Sequence, residues 1–263
     1  HIAESESTVS MAVEAGRRAL AQTGIRPEEL DMIVVSTMSP DAVLPCTACE
    51  VQKAIGAEGA VCFDLQAACT GFIFAYNTAQ AYIQSNMCRT VLLIGSERLS
   101  RLVDWTDRGT CILFGDGAGA AVLKAEEGRT YLSVSHSDGK KGEALTCDRY
   151  IHMDGRAVFQ FAVTRVPEVI REVLTKNELL MDDVDYFVLH QANRRIVEAV
   201  AKRLRQPIEK FPMNLQEYGN TSSASIPILL DEMNRSGKLK KGQKLVVAGF
   251  GAGLSWGASI VEW

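Results

Sequence analysis

The chain has no apolar run long enough to cross a bilayer. Its longest, VLLIG at 91–95 and LVVAGF at 245–250, fall far short of the roughly 20 residues that a spanning helix needs. No charged-then-apolar leader precedes them, so the sequence predicts a soluble, cytoplasmic protein without a membrane span. Positive charge is not in excess either. A net charge of −4 argues against generic nucleic-acid binding while leaving room for a local basic patch that meets an acidic partner. There is no cysteine scaffold: the seven cysteines, at 46, 49, 62, 69, 88, 111 and 147, are odd in number and scattered through strand-like and helix-like stretches. Reduced thiols are expected, most of them small buried hydrophobes. What is present is an ordinary globular composition, 263 residues at 47% hydrophobic, enough for one large domain or two packed halves.

The order of elements repeats. LAQTGIRPEELDMIVVST (20–37) and LTKNELLMDDVDYFVLHQ (174–191) each close a helix, pass an acidic turn and enter a β-branched or aromatic strand. Leu20 and Leu174, Asp31 and Asp185, and Gly95 and Gly249 are all 154 positions apart. Three fixed points on one offset indicate duplication. After RTVLLIGS (89–96) and QKLVVAGF (243–250) the chain runs through glycines into a final strand. The pattern predicts a layered α/β body of two halves, 1–147 and 148–263, each with a mixed β-sheet.

Three residues stand where chemistry is possible. Cys69 falls between the strand VCFDL (61–65) and the helix GFIFAYNTAQAYIQS (71–85), in the first helical turn. There the helix dipole favours thiolate, and the backbone N–H of Cys69 is free for an oxyanion. Ala67, Ala68 and Gly71 leave space for a substrate carbonyl. Taken alone, Cys69 reads as one more buried cysteine. His190, one of only four histidines, ends the strand YFVLH at the carboxyl edge where ligands of α/β proteins gather. It suits proton transfer or a hydrogen bond to a carbonyl. Asn220, in YGNTSSASIP, is either an ordinary loop-to-helix cap or a neutral amide donor for an oxygen that gains charge.

Other motifs carry less. CTAC (46–49) has redox spacing but no thioredoxin-like context and no second pair for zinc, so structural cysteines are expected and no metal. GDGAG (115–119) and GFGAG (249–253) lead into strands rather than opening helices, which removes the phosphate cradle and leaves close backbone approaches. Asp104, Asp107 and Arg108 read as a solvated turn. NRRIVEAVAKRLRQPIEK (193–210) puts six basic against two acidic residues on a predicted helix.

AACTGF, DWTDRGT, FGDGAGAAVL, HQAN, YGNTSSASIP and GFGAGLSWGA occur in that order. Together they resemble the 3-oxoacyl-[acyl-carrier-protein] synthase III family, the initiating condensing enzymes of bacterial type II fatty acid synthesis. The resemblance covers nearly the whole chain and implies the thiolase-like αβαβα fold. It implies Cys69, His190 and Asn220 as the catalytic set, with the backbone N–H groups of Cys69 and Ala252 as the oxyanion hole. Arg195 falls on the family's docking position for acyl carrier protein. Leu44 falls where the family bounds the acyl pocket across a homodimer. The implied reaction joins a short acyl-CoA, acetyl-CoA first, to malonyl-acyl carrier protein with loss of CO2 and without metal or bound cofactor. A condensing enzyme of specialised metabolism, or a non-catalytic binder of acyl-CoA or carrier protein, are the alternatives; a thiolase is disfavoured because Asn220 replaces a second cysteine. The family carries a further strand and helix before the segment matching HIAE, and more residues between those matching EALTC (143–147) and DRYIHMDG (148–155). Omitted residues are therefore expected at both places, so that Cys147 and Asp148 are not bonded neighbours.

Overall fold

The structure is a computed structural model that describes residues 1–128 and 130–263. Strand β1, Met32–Ser36, is buried along its length, and its alternation feeds two different cores. Met32 and Val34 pack with Phe72, Ile73, Ile226 and Val247, whereas Ile33 and Val35 pack with Ala12, Val51, Leu92 and Ile94. A strand covered on both faces must be apolar at every position, which is why MIVV shows no polar alternation.

The first sheet runs β2 (Val61–Leu65), β1, β3 (Thr90–Arg98), β4 (Asp116–Lys124). β1 is parallel to β2 and β3, and β4 is antiparallel to β3. After β5 (Val134–Ser137) comes a hairpin of β6 (Leu145–Cys147) and β7 (Ile151–Met153). The second sheet then forms from β8 (Tyr186–Leu189), β9 (Lys244–Gly251) and β10 (Ser255–Glu262), in the order β5-β10-β9-β8. β8 and β9 are parallel, and β10 is antiparallel to β9 and β5.

Helices α1 (Thr8–Thr23) and α2 (Thr47–Ile55) cover the outer face of the first sheet. α3 (Gly71–Gln84) lies between the sheets. α4 (Gly155–Lys176) and α5 (Arg194–Leu204) cover the outer face of the second. After a single turn, α6 (Leu215–Tyr218), α7 (Ser225–Arg235) joins α3 in the central layer. The result is the expected α/β stack, αβαβα. Local chemistry fixes its joints: the Asp64 carboxylate on β2 accepts the Thr47 and Ala48 N–H groups at 2.8 Å each, capping α2 where its own N-cap residue, Cys46, does not.

The offset of 154 carries β1 onto β8, β3 onto β9, and Gly71, the start of α3, onto Ser225, the start of α7. Val134–Ser137 pair with β10, so the second sheet takes its edge strand from before residue 148. Two expectations change. The basic helix stops at Leu204, with Arg205 in the left-handed region at φ 56, and Lys210 lies beyond it. Only Cys69 and Cys88 are buried, although all seven cysteines are free, because Cys46, Cys49 and Cys62 lie at the edge of the α2–β2 packing rather than inside it. In the β6–β7 hairpin Cys147 stands opposite Ile151. Among the described residues the outer edge of β4 has no strand partner. The first residues lie beside it, the His1 carbonyl accepting the Asp116 N–H at 3.0 Å. No helix among the described residues is long and apolar enough to cross a membrane.

Candidate active site

Cys69 lies in a 3₁₀ turn, Ala68–Thr70, that precedes α3 rather than in the helix's first turn. Its preceding residue, Ala68, adopts φ 45, a left-handed conformation that a side chain tolerates only under constraint. The constraint comes from the other half. A methyl on Gly251 of β9 would sit 2.9 Å from the Cys69 nitrogen and 3.1 Å from its Cβ, so the turn rests directly on bare backbone. Gly249 does the same more loosely, its would-be Cβ lying 3.4 Å from His190 Cβ and 3.7 Å from the Cys69 carbonyl oxygen. Gly249 and Gly251 thus let the second sheet close onto the turn that carries the thiol. Gly71 faces Ser36 and Ser223 and makes no space for a substrate.

The thiol is buried, and burial pushes its pKa up to about 12 against a smaller opposing effect of the Ser222 hydroxyl. The lowered pKa expected from the helix start is therefore not found. Desolvation outweighs the dipole, and the resting sulfur is a neutral thiol. No backbone acceptor takes the Cys69 N–H among the described residues, which leaves it free as a donor.

His190 follows β8 and is 2% exposed. Burial pushes its pKa down to about 3, so the imidazole is neutral. Its Nδ1 lies 2.7 Å from Ser225 Oγ, and that hydroxyl oxygen also accepts the Gln191 N–H at 3.3 Å. Among the described hydrogen bonds Nδ1 is the one acceptor within reach of the Ser225 hydroxyl hydrogen, and with that hydrogen donated to Nδ1 the imidazole proton sits on Nε2. Phe250 holds the ring edge to face at 5.5 Å. Asn220 is fixed in the same way. Its backbone bridges to Phe114, and its Oδ1 accepts the Ser222 N–H at 2.9 Å. The amide NH2 is left as the outward group, so Asn220 is an oriented donor and not the cap of α7.

Cys69, Ala252 and Ser222 share one cavity of about 40 Å3, walled by Met38, Leu99 and the β6–β7 hairpin. A larger groove of about 550 Å3 runs between Lys141–Ala144 and α4 and is lined by none of Cys69, His190 or Asn220; the smaller cavity is lined by Cys69 but by neither His190 nor Asn220. Ala252 lines the same cavity as Cys69. Leu44 does not line this cavity: it is 83% exposed, next to Val43 at 88%. Arg195 is exposed on the first turn of α5, its backbone N–H held by Asn193 Oδ1 at 2.8 Å and its guanidinium 5.4 Å above the Phe159 ring. Asp104 and Asp107 spend their carboxylates on Thr106, Gly109 and Thr110 within the solvated turn. Cys46 and Cys49 touch at 3.4 Å; no group of three or more His, Cys, Asp or Glu side chains is arranged for a metal ion among the described residues.

The sequence reading missed Gly251, Ser222 and Glu97. Glu97 follows Gly95 and Ser96 after the apolar run VLLI, and that local sequence carries no signal of a buried acid.

The sequence profile of 3-oxoacyl-[acyl-carrier-protein (ACP)] synthase III matches residues 63–139, and that of its C-terminal domain matches 174–263. A beta-ketoacyl-[acyl-carrier-protein] synthase III of Clostridium novyi is 46% identical, with 100% of this chain and 86% of the relative covered. That alignment runs to 279 positions against the chain's 263, so the relative carries residues inside the matched span that this chain lacks. The crystal structure of 3-oxoacyl-[acyl-carrier-protein] synthase III from Aquifex aeolicus superimposes with a TM-score of 0.97 at 43% identity, covering 100% and 87% of the two chains. A priming beta-ketosynthase of the R1128 polyketide biosynthetic pathway gives 0.95 at 37%, covering 100% and 84%.

Proposed function

Because the chain belongs to the 3-oxoacyl-[acyl-carrier-protein] synthase III family, the acyltransferases that start fatty acid synthesis by condensing an acyl-CoA with malonyl-acyl carrier protein, we infer that Cys69 carries the acyl group and that His190 and Asn220 are the paired donors of the condensing step. The observation that carries this reading is the hydrogen inventory of these two residues. His190 presents Nε2–H and Asn220 presents its NH2, two neutral donors whose opposite sides are already occupied.

In the first half-reaction the Cys69 sulfur attacks the primer thioester, and the thiol proton leaves with coenzyme A. The tetrahedral oxyanion faces the N–H groups of Cys69 and Ala252. In the second, the malonyl thioester oxygen accepts from His190 and Asn220 as the carboxylate leaves as CO2. The electron pair of the broken bond becomes an enolate, and its carbon attacks the acyl group, returning Cys69. A histidine whose burial holds it neutral suits this role, since it donates without adding a charge that must later be dispersed.

The cavity of about 40 Å3 favours a small primer. At roughly 10–15 Å3 for each water-sized group it holds about three heavy atoms, the size of an acetyl group. Leu44, exposed and apart from the cavity of its own chain, bounds the pocket of the second copy in a homodimer. Arg195, unlike Arg194, which pairs with Glu198 at 2.8 Å, has no acidic partner on its helix among the described residues and is the docking contact for the acidic carrier protein. In this reading the enzyme is cytoplasmic and acts without metal or bound cofactor. The similarity to a polyketide priming synthase favours, as a second reading, the same chemistry with another primer, which turnover across a series of acyl-CoA chain lengths separates. Intact-protein mass spectrometry with acetyl-CoA tests the main reading: one acetyl adduct on the wild type and none on Cys69→Ser, whereas an adduct on another cysteine refutes the assignment.

A further inference from the structure

The offset of 154 maps the whole site onto a second constellation: Cys69 onto Ser223, Ala68 onto Ser222, His190 onto Ser36 and Gly251 onto Glu97. The correspondence is structural as well. Ser222 adopts φ 48 where Ala68 adopts φ 45, and each opens a 3₁₀ turn that leads into a central helix. The two differ at one decisive point. Gly251 leaves space beside Cys69, whereas Glu97 fills the equivalent space beside Ser223.

Glu97 is fully buried. Its Oε2 receives the Ser39 hydroxyl at 2.6 Å, the Met38 N–H at 3.1 Å and the Thr37 hydroxyl at 3.3 Å. Ser39 Oγ accepts from the Arg98 N–H, and Thr37 Oγ1 from the Ser39 N–H, so both hydroxyl hydrogens are free to point at Oε2. Its Oε1 lies 2.8 Å from Ser223 Oγ, which is also 2.9 Å from the Ser36 carbonyl oxygen. A hydroxyl has one hydrogen, and a carbonyl can only accept. Both contacts are hydrogen bonds at once only if Oε1 carries a proton, donating to Ser223, which donates to Ser36. Burial acts in the same direction, raising the Glu97 pKa against the hydrogen bonds that lower it.

We propose that Glu97 is held as a neutral carboxylic acid and is a positioning residue for the condensation, plugging the duplicate of the active site and fixing the walls of the Cys69 cavity. Three of those walls hang on it. Met38 gives it an N–H, Leu99 follows it by two residues, and Ser222 adjoins its partner Ser223. The Ser222 hydroxyl stands between Cys69 and Glu97, close enough to favour the charged form of each, without full hydrogen-bond geometry to either. Neutrality matters to the reaction, because an ionised Glu97 would set a buried negative charge beside a sulfur that must itself become negative.

The inference rests on the role given to Cys69 and deepens it, and its test separates the two. The carboxylic-acid C=O stretch in the infrared spectrum of wild type minus Glu97→Gln reads protonation directly and does not depend on activity. A protonated-acid band in wild type is expected; a carboxylate band instead overturns the proposal. Glu97→Gln, which supplies an acceptor at one end and a donor at the other, should acylate Cys69 within a few-fold of wild type. Glu97→Ala, which leaves three donors unmet, should lose on the order of 10²-fold in kcat. If Glu97→Gln, folded by thermal melting, is as impaired as Glu97→Ala, the residue acts as an ionised base and the proposal fails. Absence of any Cys69 adduct on wild type would instead refute the reading of Cys69, leaving the infrared result to stand or fall alone.

Discussion

Substituting Gly251→Ala isolates the contact that makes room for the nucleophile. The added methyl would meet the Cys69 nitrogen at 2.9 Å, Cys69 Cβ at 3.1 Å and the Thr70 nitrogen at 3.1 Å. Two of these are backbone atoms of a turn already strained at Ala68, so no rotamer change relieves the clash. Either β9 or the turn must move. Overpacking of this kind costs about 1–3 kcal/mol, which at roughly 2–4 °C per kcal/mol lowers Tm by about 2–12 °C. The functional effect is larger than the stability effect, because the displaced atoms are the thiol and its N–H oxyanion donor. Loss of one such donor costs about 10²–10³-fold in kcat. Gly249→Ala is the control: its methyl meets the flexible end of Ile73 at 3.0 Å and stays 3.7 Å from the Cys69 carbonyl oxygen, so it should acylate within about ten-fold of wild type. Quenched-flow mass spectrometry of acetyl-Cys69 formation measures both. If Gly251→Ala acylates as fast as Gly249→Ala while remaining folded, the fit of Cys69 against β9 is not what positions the thiol.

Two further outcomes follow from the charge distribution. Arg195→Glu should raise KM for malonyl-acyl carrier protein far more than for acetyl-CoA and leave kcat at saturation intact, with the effect weakening at high salt as charges are screened beyond about 8 Å; unchanged carrier-protein kinetics across ionic strength would move the docking site elsewhere. His190 has its folded pKa near 3, below the ordinary 6.5, so the unfolded state takes up a proton first and stability falls as pH drops from 6.5 towards 3. By pH 5 the loss from this residue is about 2 kcal/mol, and denaturant melts at pH 7.5 and 5 should show it in wild type but not in His190→Asn.

Local pattern carried most of the fold. VCFDL and the helix from Gly71 stand where periodicity and small residues put them, and MIVV at 32–35 shows why, because a strand buried on both faces needs an unbroken apolar run whatever its surroundings. The basic segment at 193–210 shows where that reasoning stops. Amphipathic spacing continues past Leu204, but the αL residue Arg205 and Pro207 end the helix, and the six charges part between two elements. Val134–Ser137 escapes a reading of the sequence for a related reason: it is a four-residue strand whose place in the second sheet depends on β10, far away in the chain, and short strands carry little signal of their own.

The site divides along the same line. Cys69, His190 and Asn220 each mark an element end, and that much is local. The ionisation of Cys69 was not legible, since the dipole of α3 is visible in the sequence while the burial that overrides it comes from Gly249 and Gly251 on the opposite sheet. Yet the repeat contained the missing half of the argument. Carried from Gly95 and Gly249 two residues further, the same offset sets Glu97 against Gly251. Duplication gives two equivalent turns, each able to hold a reactive group at the start of a central helix. One side chain decides which is used. A glycine opens the turn that bears a thiol, and a buried acid closes the turn that bears a serine, tying it to Ser36 and Thr37. Function in this fold comes from breaking its own symmetry, with the closed half serving as the rigid wall against which the open half reacts.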